Sequence, residues 1–421
     1  MTRRRGRRGR RTEGPSSEPA ADGSSRAIAV RLPAALVPYA RSQLKWRTDC
    51  DLTVLRDGGQ TFTAMLDALA AARHSICLET YIIAADHTGT RFKDVLMVRA
   101  RAGVEVRVIY DAVGSFGLPD AFVGDLTAAG CSVVAFNPIA FWRRRFRLAH
   151  RDHRKIIVVD ETVAFTGGLN ISNDYAAVVD GGVGWHDMHC RVSGPIVADL
   201  ARMFRRSWLR AGGATYPAPS PAGEDTHAAA ASPTGETRGA AYVRLIENTL
   251  RRQRANTRRA YVHVLRAARE RVLIENAYFL PDRGLRRAMI NAVARGVDVR
   301  IVVPGRSDVR MIEWATYYAL RPLVKRGVTA LRWGGQMLHA KTCVVDGIWS
   351  TIGSYNFDAQ SRFNNLEVNL EILDPGVGSA MVAQFATTEA SSTPFGVESW
   401  AALPWWTKVM AWIAYRLRRW L

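Results

Sequence analysis

Apolar and polar positions along this chain follow two rhythms, and the order in which those rhythms succeed one another occurs twice. From about residue 48, SICLETYI (75–82) is a short apolar run and a helical pattern begins near Arg91. RAGVEVRVIYD (101–111), GCSVVAFNP (130–138), HRKIIVVD (153–160) and GGLN (167–170) then follow. From about 241 the order returns as VLIENAYF (272–279), a helical LRRAMINAV (285–293), ARGVDVRIVVP (294–304), GVTALRW (327–333), HAKTCVVD (339–346) and GSYN (353–356). Short β-branched runs separated by helical periods predict α/β structure, a mixed and mostly parallel sheet flanked by helices in each half. A unit written twice predicts a pseudo-two-fold with one site at the seam.

This pattern divides the chain into a first half at 48–210 and a second at 241–395. Between them, residues 211–240 are rich in Gly, Ala, Pro, Ser and Thr without apolar periodicity, which reads as a flexible linker. Residues 1–27 open with seven arginines in eleven positions and no apolar segment behind them; this predicts a disordered tail that adheres to phosphates, not a secretory signal. Residues 400–421, WAALPWWTKVMAWIAYRLRRWL, hold five of the twelve tryptophans. At helical spacing Trp405, Val409, Trp412, Ile413 and Trp420 share one face, with Lys408, Arg418 and Arg419 off it. That predicts an amphipathic helix lying in a membrane interface, the alternative being a helix docked on the protein itself. No uncharged apolar run reaches the length of a bilayer span.

Composition is that of a globular protein, and charge is what changes the picture: 58 Lys and Arg against 38 Asp and Glu, net +20. A balance so basic implies a polyanionic partner, nucleic acid or an anionic membrane. The five scattered cysteines, Cys50, Cys77, Cys131, Cys190 and Cys343, form neither a disulfide framework nor a zinc site, and read as small buried hydrophobes in a reducing compartment.

The candidate chemistry sits in the two repeated strings. His153 and Lys155, like His339 and Lys341, are two residues apart at the head of an apolar run, so on a strand they face one way. A lone HxK tripeptide is common. Here Asn170 follows His153, and Asn356 follows His339, at the same spacing of 17 residues. Two imidazoles and two cations aimed at one point suit a phosphodiester: one histidine attacks phosphorus and the other protonates the leaving alkoxide. The lysines neutralise the non-bridging oxygens, and Asn170 and Asn356 add phosphate-binding amide donors. No carboxylate cluster at metal spacing is evident, so neither metal nor cofactor is expected. Asp160 and Asp346 complete the repeated catalytic motif, but each lies five residues past its lysine and would point away on a continuous strand, which favours a structural brace. Glu79 and Glu275 correspond between the halves, with substrate positioning and internal hydrogen bonding both open.

These motifs resemble the phospholipase D superfamily, marked by a duplicated HxKxxxxD and a following G[GS]xN. Within it, ETYIIAADHTG (79–89), RDHRKIIVVD (151–160), TGGLNISNDY (166–175), NAYFLPD (276–282), MLHAKTCVVD (337–346) and IGSYNFDAQSRFNNLEVNLEI (352–372) resemble bacterial cardiolipin synthases of the short type without N-terminal transmembrane spans. The resemblance spans roughly 48–395. It implies a metal-independent ping-pong reaction through a covalent phosphohistidine, with two phosphatidylglycerol molecules giving cardiolipin and glycerol. His153 would be the nucleophile and His339 the general acid, then base. It also implies that a carboxylate from each half orients the histidine of the other: Glu367 for His153 and Asp187 for His339.

Between Asn137 and His150, Arg143, Arg144, Arg145 and Arg147 interleave with Phe141, Trp142 and Phe146. Such a mixture suits an anionic lipid headgroup, while stacking on single-stranded nucleic acid and a solvated loop remain open. The expected partner is an anionic phospholipid membrane containing phosphatidylglycerol, with no obligatory nucleic acid. One chain suffices for the site, and the expected location is peripheral, on the cytoplasmic face of the cell membrane. Phospholipid hydrolysis and metal-independent nucleolysis stay open as alternatives. A non-enzymatic scaffold is disfavoured because neither motif has decayed.

Overall fold

A computed structural model describes residues 30–138, 150–216, 241–249 and 255–420. The arginine tail, the interleaved stretch at 141–147 and most of the expected linker lie outside the described residues.

The first half runs β1 (Arg47–Arg56), α1 (Asp57–Ala70), β2 (Ser75–Thr80), α2 (His87–Arg101), β3 (Glu105–Asp111), α3 (Asp120–Ala128), β4 (Ser132–Phe136), β5 (Arg151–Asp152), β6 (Ile156–Val159), β7 (Val163–Gly167), β8 (Met188–Ser193) and α4 (Ile196–Ala211). The second runs β9 (Ala241–Asn248), α5 (Asn256–Ala267), β10 (Arg271–Asn276), α6 (Arg283–Ala294), β11 (Asp298–Pro304), α7 (Arg310–Val324), β12 (Thr329–Trp333), β13 (Lys341–Val345), β14 (Trp349–Gly353), α8 (Ala359–Phe363), β15 (Asn365–Leu373), α9 (Pro375–Ala390) and β16 (Ser392–Pro394), then α10 (Val397–Ala402) and α11 (Trp405–Arg416).

The duplication recurs in strand pairing. β2, β3 and β4 are parallel neighbours, and β6 adds antiparallel to β2. In the second half β10, β11 and β12 are parallel and β13 adds antiparallel to β10. Each half is closed by an antiparallel hairpin pair, β7–β8 or β14–β15. The halves join where β1 pairs antiparallel with β9, Arg47 opposite Val243 and Cys50 opposite Ala241, so the strands form one mixed sheet. The central parallel strands β2 and β10 are buried on both faces, which is why their sequences are short apolar runs, whereas β3 keeps an alternating pattern toward the edge.

Helices cover both faces. α1 and α2 bury Phe62, Leu69, Phe92 and Leu96 against the outer face of the first half. Each such side chain contributes roughly 1.5–3 kcal/mol of burial. α4 and α9 fill the inner faces at the seam, Leu200, Phe204 and Trp208 sharing a core with Val243, Leu370, Met381 and Phe385. α4 touches β9 of the other half and α9 touches β1, so the helices also cross the pseudo-two-fold. All five cysteines are free and buried within these layers.

The C-terminal helix α11 docks on the protein itself. Thr407, Ala411, Ala414 and Tyr415 are buried, and the helix packs on α7. The tryptophan face points outward, with Trp405 76%, Trp412 46% and Trp420 82% exposed. No helix among the described residues is long and apolar enough to cross a membrane.

Candidate active site

His153 lies between β5 and β6, and His339 stands just ahead of β13. Neither is held by its own half alone. β5 pairs with β15 in parallel, Asp152 opposite Leu366, and the His153 N–H donates to the Leu366 carbonyl at 3.0 Å. Symmetrically, His186 bridges Leu338, and the His339 N–H donates to the His186 carbonyl at 2.7 Å. Each histidine is thus hung on the other half's backbone, one residue before that half's carboxylate.

The carboxylates complete the exchange. His153 Nδ1 lies 3.1 Å from Glu367 Oε2, and His339 Nδ1 lies 2.6 Å from Asp187 Oδ2. Both pairs are buried; the imidazoles keep only 7% and 5% exposure. A carboxylate on Nδ1 fixes the tautomer and leaves Nε2 toward the reacting centre. Ser354 donates to Glu367, whereas Gly168, its counterpart in the repeat, leaves room for Asp187: a Cβ there would come within 2.1 Å of Asp187 Oδ1. This is the physical content of the small residue in GGLN and GSYN.

Each lysine folds back on its own histidine. Lys155 Nζ donates to the His153 carbonyl at 2.8 Å, and Lys341 Nζ donates to the His339 carbonyl. Burial is the dominant influence on all four groups. It lowers His153, with Lys155 adding to the effect and Glu367 opposing it. It lowers His339 in the same way, with Lys341 adding and Asp187 opposing. Both imidazoles are therefore neutral near pH 7. Lys155 falls to about 7 and Lys341 to about 8. Burial pushes Asp187 upward, but Lys341 and His339 outweigh it and leave the carboxyl at about 2. Glu367 is likewise lowered, by His153 and Lys155 against burial. The site is a buried pair of anions facing two neutral bases and two easily discharged cations. Such a cluster favours an incoming phosphate, which stabilises the charged lysines.

The two motif aspartates stand apart from this group. Asp160 accepts from the main-chain N–H groups of Arg73, His74 and Ser75, each at 2.8 Å. Asp346 accepts from those of Arg269, Glu270 and Arg271, each at 2.9 Å, and from the Tyr39 hydroxyl at 2.8 Å. This geometry places them at the turns that launch β2 and β10, where each carboxylate braces the main chain. Asn170 is engaged within its half, its amide donating to Tyr175 Oη at 2.7 Å and its carbonyl accepting from Ile82 N at 3.2 Å. Asn356 is buried with its side-chain oxygen unpartnered among the described residues. Glu79 lies 3.8 Å from Arg154, and Glu275 accepts from Thr342 at 2.9 Å; both sit in internal polar clusters.

Sequence reasoning missed three contributors. The Tyr175 hydroxyl is 3.3 Å from His339 Nδ1, and Tyr81 packs edge-on to His153 with centroids 5.0 Å apart. His186 donates from Nδ1 to Asp57 Oδ1 at 2.6 Å, and Asp57 Oδ1 also accepts the Asp187 N–H at 3.1 Å. Burial lowers His186, but Asp57 and Glu275 outweigh it and raise the imidazole to about 9. The only sequence clue to His186 was its place beside Asp187 in WHD.

The chain is similar to known proteins. The family described as cardiolipin synthase, PLD-like domain matches residues 65–208 and 261–388, once in each half. The chain belongs to that family. It is a family of the phospholipase D superfamily. The chain is 32% identical over 357 residues to the cardiolipin synthase of Halalkalibacterium halodurans, covering 85% of this chain and 69% of that one. It is 34% identical over 316 residues to the cardiolipin synthase of Geobacillus thermodenitrificans, covering 75% and 61%. The chain thus spans about two thirds of the length of these relatives. Among solved structures, phosphatidylserine synthase from Haemophilus influenzae superposes with a TM-score of 0.66 at 14% identity, over 87% of this chain and 93% of that one. At that identity the likeness is one of fold.

Proposed function

We propose that this chain transfers a phosphatidyl group from one phosphatidylglycerol to another, making cardiolipin and glycerol through a phosphohistidine on His153. The observation that carries the reading is the reciprocal seating of two neutral imidazoles, each on a buried carboxylate of the opposite half. Membership of the cardiolipin synthase family supports the substrate.

In the first step His153 Nε2 attacks phosphorus and the bond to the glycerol oxygen breaks. His339 is neutral in the free site. The negative charge of the bound phosphodiester raises its pKa, so a proton enters with substrate and passes to the departing glycerol oxygen. In the second step a hydroxyl of the second phosphatidylglycerol attacks phosphorus and its proton goes to His339. The phosphorus–nitrogen bond breaks, releasing cardiolipin and free His153. Glu367 and Asp187 stabilise the cationic imidazoles, while Lys155 and Lys341 counter charge on the non-bridging oxygens.

The assignment of residues 48–210 and 241–395 as two halves of one catalytic unit belongs to this proposal. So does peripheral placement on the cytoplasmic membrane face, which the outward tryptophans of α11 support. The test is incubation of the purified chain with phosphatidylglycerol vesicles, following lipids by mass spectrometry and trapping the phosphoenzyme by acid quench. Cardiolipin together with label on His153 is the expected result. Absence of any lipid turnover would remove the proposal.

A further inference from the structure

A cavity of about 810 Å³ opens beside the second motif, between the start of α6, helix α8 and the C-terminal residues Arg418–Trp420. Six arginines line it, Arg258, Arg283, Arg286, Arg362, Arg418 and Arg419, against two aspartates, Asp282 and Asp358. Asp282 is already occupied: it accepts from Arg258 and, at 2.8 Å, from Arg362. Arg418 donates to the Tyr415 carbonyl at 2.8 Å. Arg283, Arg286 and Arg419 have no carboxylate partner among the described residues, and Arg286 Nε is buried without a hydrogen-bond partner. Arg286 is half-buried, over the Tyr415 ring, while Arg283 and Arg419 are exposed at the mouth; a buried N–H left unpaired beside two unneutralised cations is a place for an anion.

The cavity adjoins the catalytic centre. Tyr355, Phe357 and Asp358 line it and flank Asn356. Asp358 and Lys341 act on each other's charge. Its outer rim carries exposed Phe363 and Trp420, apolar surface suited to acyl chains. Transfer between two phosphatidylglycerols requires a second anion site within one glycerol of the reacting phosphorus, because the acceptor carries a phosphodiester of its own.

We propose that this cavity holds the phosphodiester of the acceptor lipid, with Arg286 and Arg419 as its principal contacts. The inference rests on the phosphatidyl-transfer reading. The acceptor's hydroxyl oxygen then forms the new bond to phosphorus as the bond to His153 Nε2 breaks and the proton passes to His339, while its own phosphate stays on the arginines and takes no part in bond making.

The experiment uses the full chain and phosphatidylglycerol in mixed micelles with ethanol as an uncharged competing acceptor. Glycerol, cardiolipin, phosphatidic acid and phosphatidylethanol are quantified together. For Arg286→Gln and Arg419→Gln, cardiolipin formed per glycerol released should fall about tenfold, the loss of one charge-assisted contact. Phosphatidic acid and phosphatidylethanol should rise to compensate, glycerol release should hold, and Arg286→Lys should recover part of the loss. Arg287→Gln, exposed on the same helix outside the cavity, should leave the product ratio unchanged. An unchanged ratio in the cavity variants would overturn the proposal. So would an equal fall in glycerol release, which would make the cavity a donor or membrane-docking site. Millimolar inorganic phosphate should suppress cardiolipin but not phosphatidylethanol, by competing for the same arginines, and should lose that effect in Arg286→Gln; equal suppression of both products would place the anion in the donor site and count against the proposal. If the unsubstituted chain releases no glycerol at all, the phosphatidyl-transfer reading itself falls; a changed product ratio with glycerol release intact tests the cavity alone.

Discussion

The main-chain N–H of His339 donates to the carbonyl of His186 at 2.7 Å, and the carboxylate that receives the His339 ring belongs to the very next residue. One backbone bridge therefore sets both the position and the tautomer of the imidazole, and the same device, through Leu366 and Glu367, sets His153. Catalytic geometry is built into the register between the halves.

Removing either carboxylate's charge should be costly while leaving the fold in place. Asp187→Asn and Glu367→Gln should each lower the rate of cardiolipin formation by 10²-fold or more, on the order of triad-orienting losses elsewhere. The two should differ in where they act. Glu367→Gln should abolish the burst of phosphoenzyme. His339→Ala should retain a burst with a donor whose leaving group needs no proton, such as a nitrophenyl ester, yet turn over about 10³-fold more slowly. Quenched-flow measurement of phosphohistidine separates these outcomes; a burst in Glu367→Gln with none in His339→Ala would reverse the assignment of nucleophile and acid.

The motif aspartates should behave in the opposite way. Asp160→Ala leaves three main-chain N–H donors without their acceptor and should cost roughly 2–3 kcal/mol, read as a lower midpoint in denaturant. Asp346→Ala should cost more, since the Tyr39 hydroxyl loses its acceptor too. Both residues have positive φ, 50° and 55°, so Asn should be tolerated better than Ala. Folded variants should keep turnover within about threefold when assayed well below their midpoints. A loss of 10²-fold with unchanged stability would return them to the catalytic set.

Much of this was legible in the residues. The duplication and the two His–Lys pairs stand out because phosphoryl chemistry needs fixed side-chain types at fixed strand spacing, and the position of Asp160 five residues past Lys155 already pointed it to the other face. Other parts were not. The partnership of His186 with Asp57 joins residues 129 apart in sequence, so no local pattern carries it. The arginines of the cavity come from four separate segments, and each alone looks like a solvated surface residue. The pairing of Glu367 with His153 was available only through family resemblance, because it depends on how one half crosses to the other.

Protonation of the lysines should govern anion binding. Lys155 titrates at about 7 and Lys341 at about 8, whereas in the unfolded chain both hold their protons to about 10.4. Between these limits the unfolded state binds more protons, so these groups make stability rise with pH; below about 7 their full cost is present. A bound tetrahedral anion offsets that cost by pairing with the cations, and above pH 7 it must draw protons in. Tungstate should therefore raise the melting temperature most near pH 6.5 and progressively less toward pH 9. Its affinity should fall about tenfold per pH unit for each lysine discharged. A shift of the same size at both pH values would show that the lysines do not titrate in this window.

The outward face of α11 separates membrane contact from folding. Trp405, Trp406 and Trp412 are exposed, while Ala414 and Tyr415 form the contact with Ala315 and Ala319 of α7. Replacing the three tryptophans by alanine leaves the buried contact with α7 in place and removes mostly outward surface, so the melting temperature should stay within about 4 °C. The same variant should bind phosphatidylglycerol vesicles at least tenfold more weakly in a sedimentation assay, since interfacial tryptophans supply buried apolar area on the bilayer. Ala414→Leu should do the reverse: overpacking at a fully buried contact should lower stability by about 1–3 kcal/mol. Its vesicle binding should persist as long as the helix stays docked. If instead the tryptophan variant loses stability and keeps its vesicle affinity, the helix serves the fold and the membrane contact lies elsewhere.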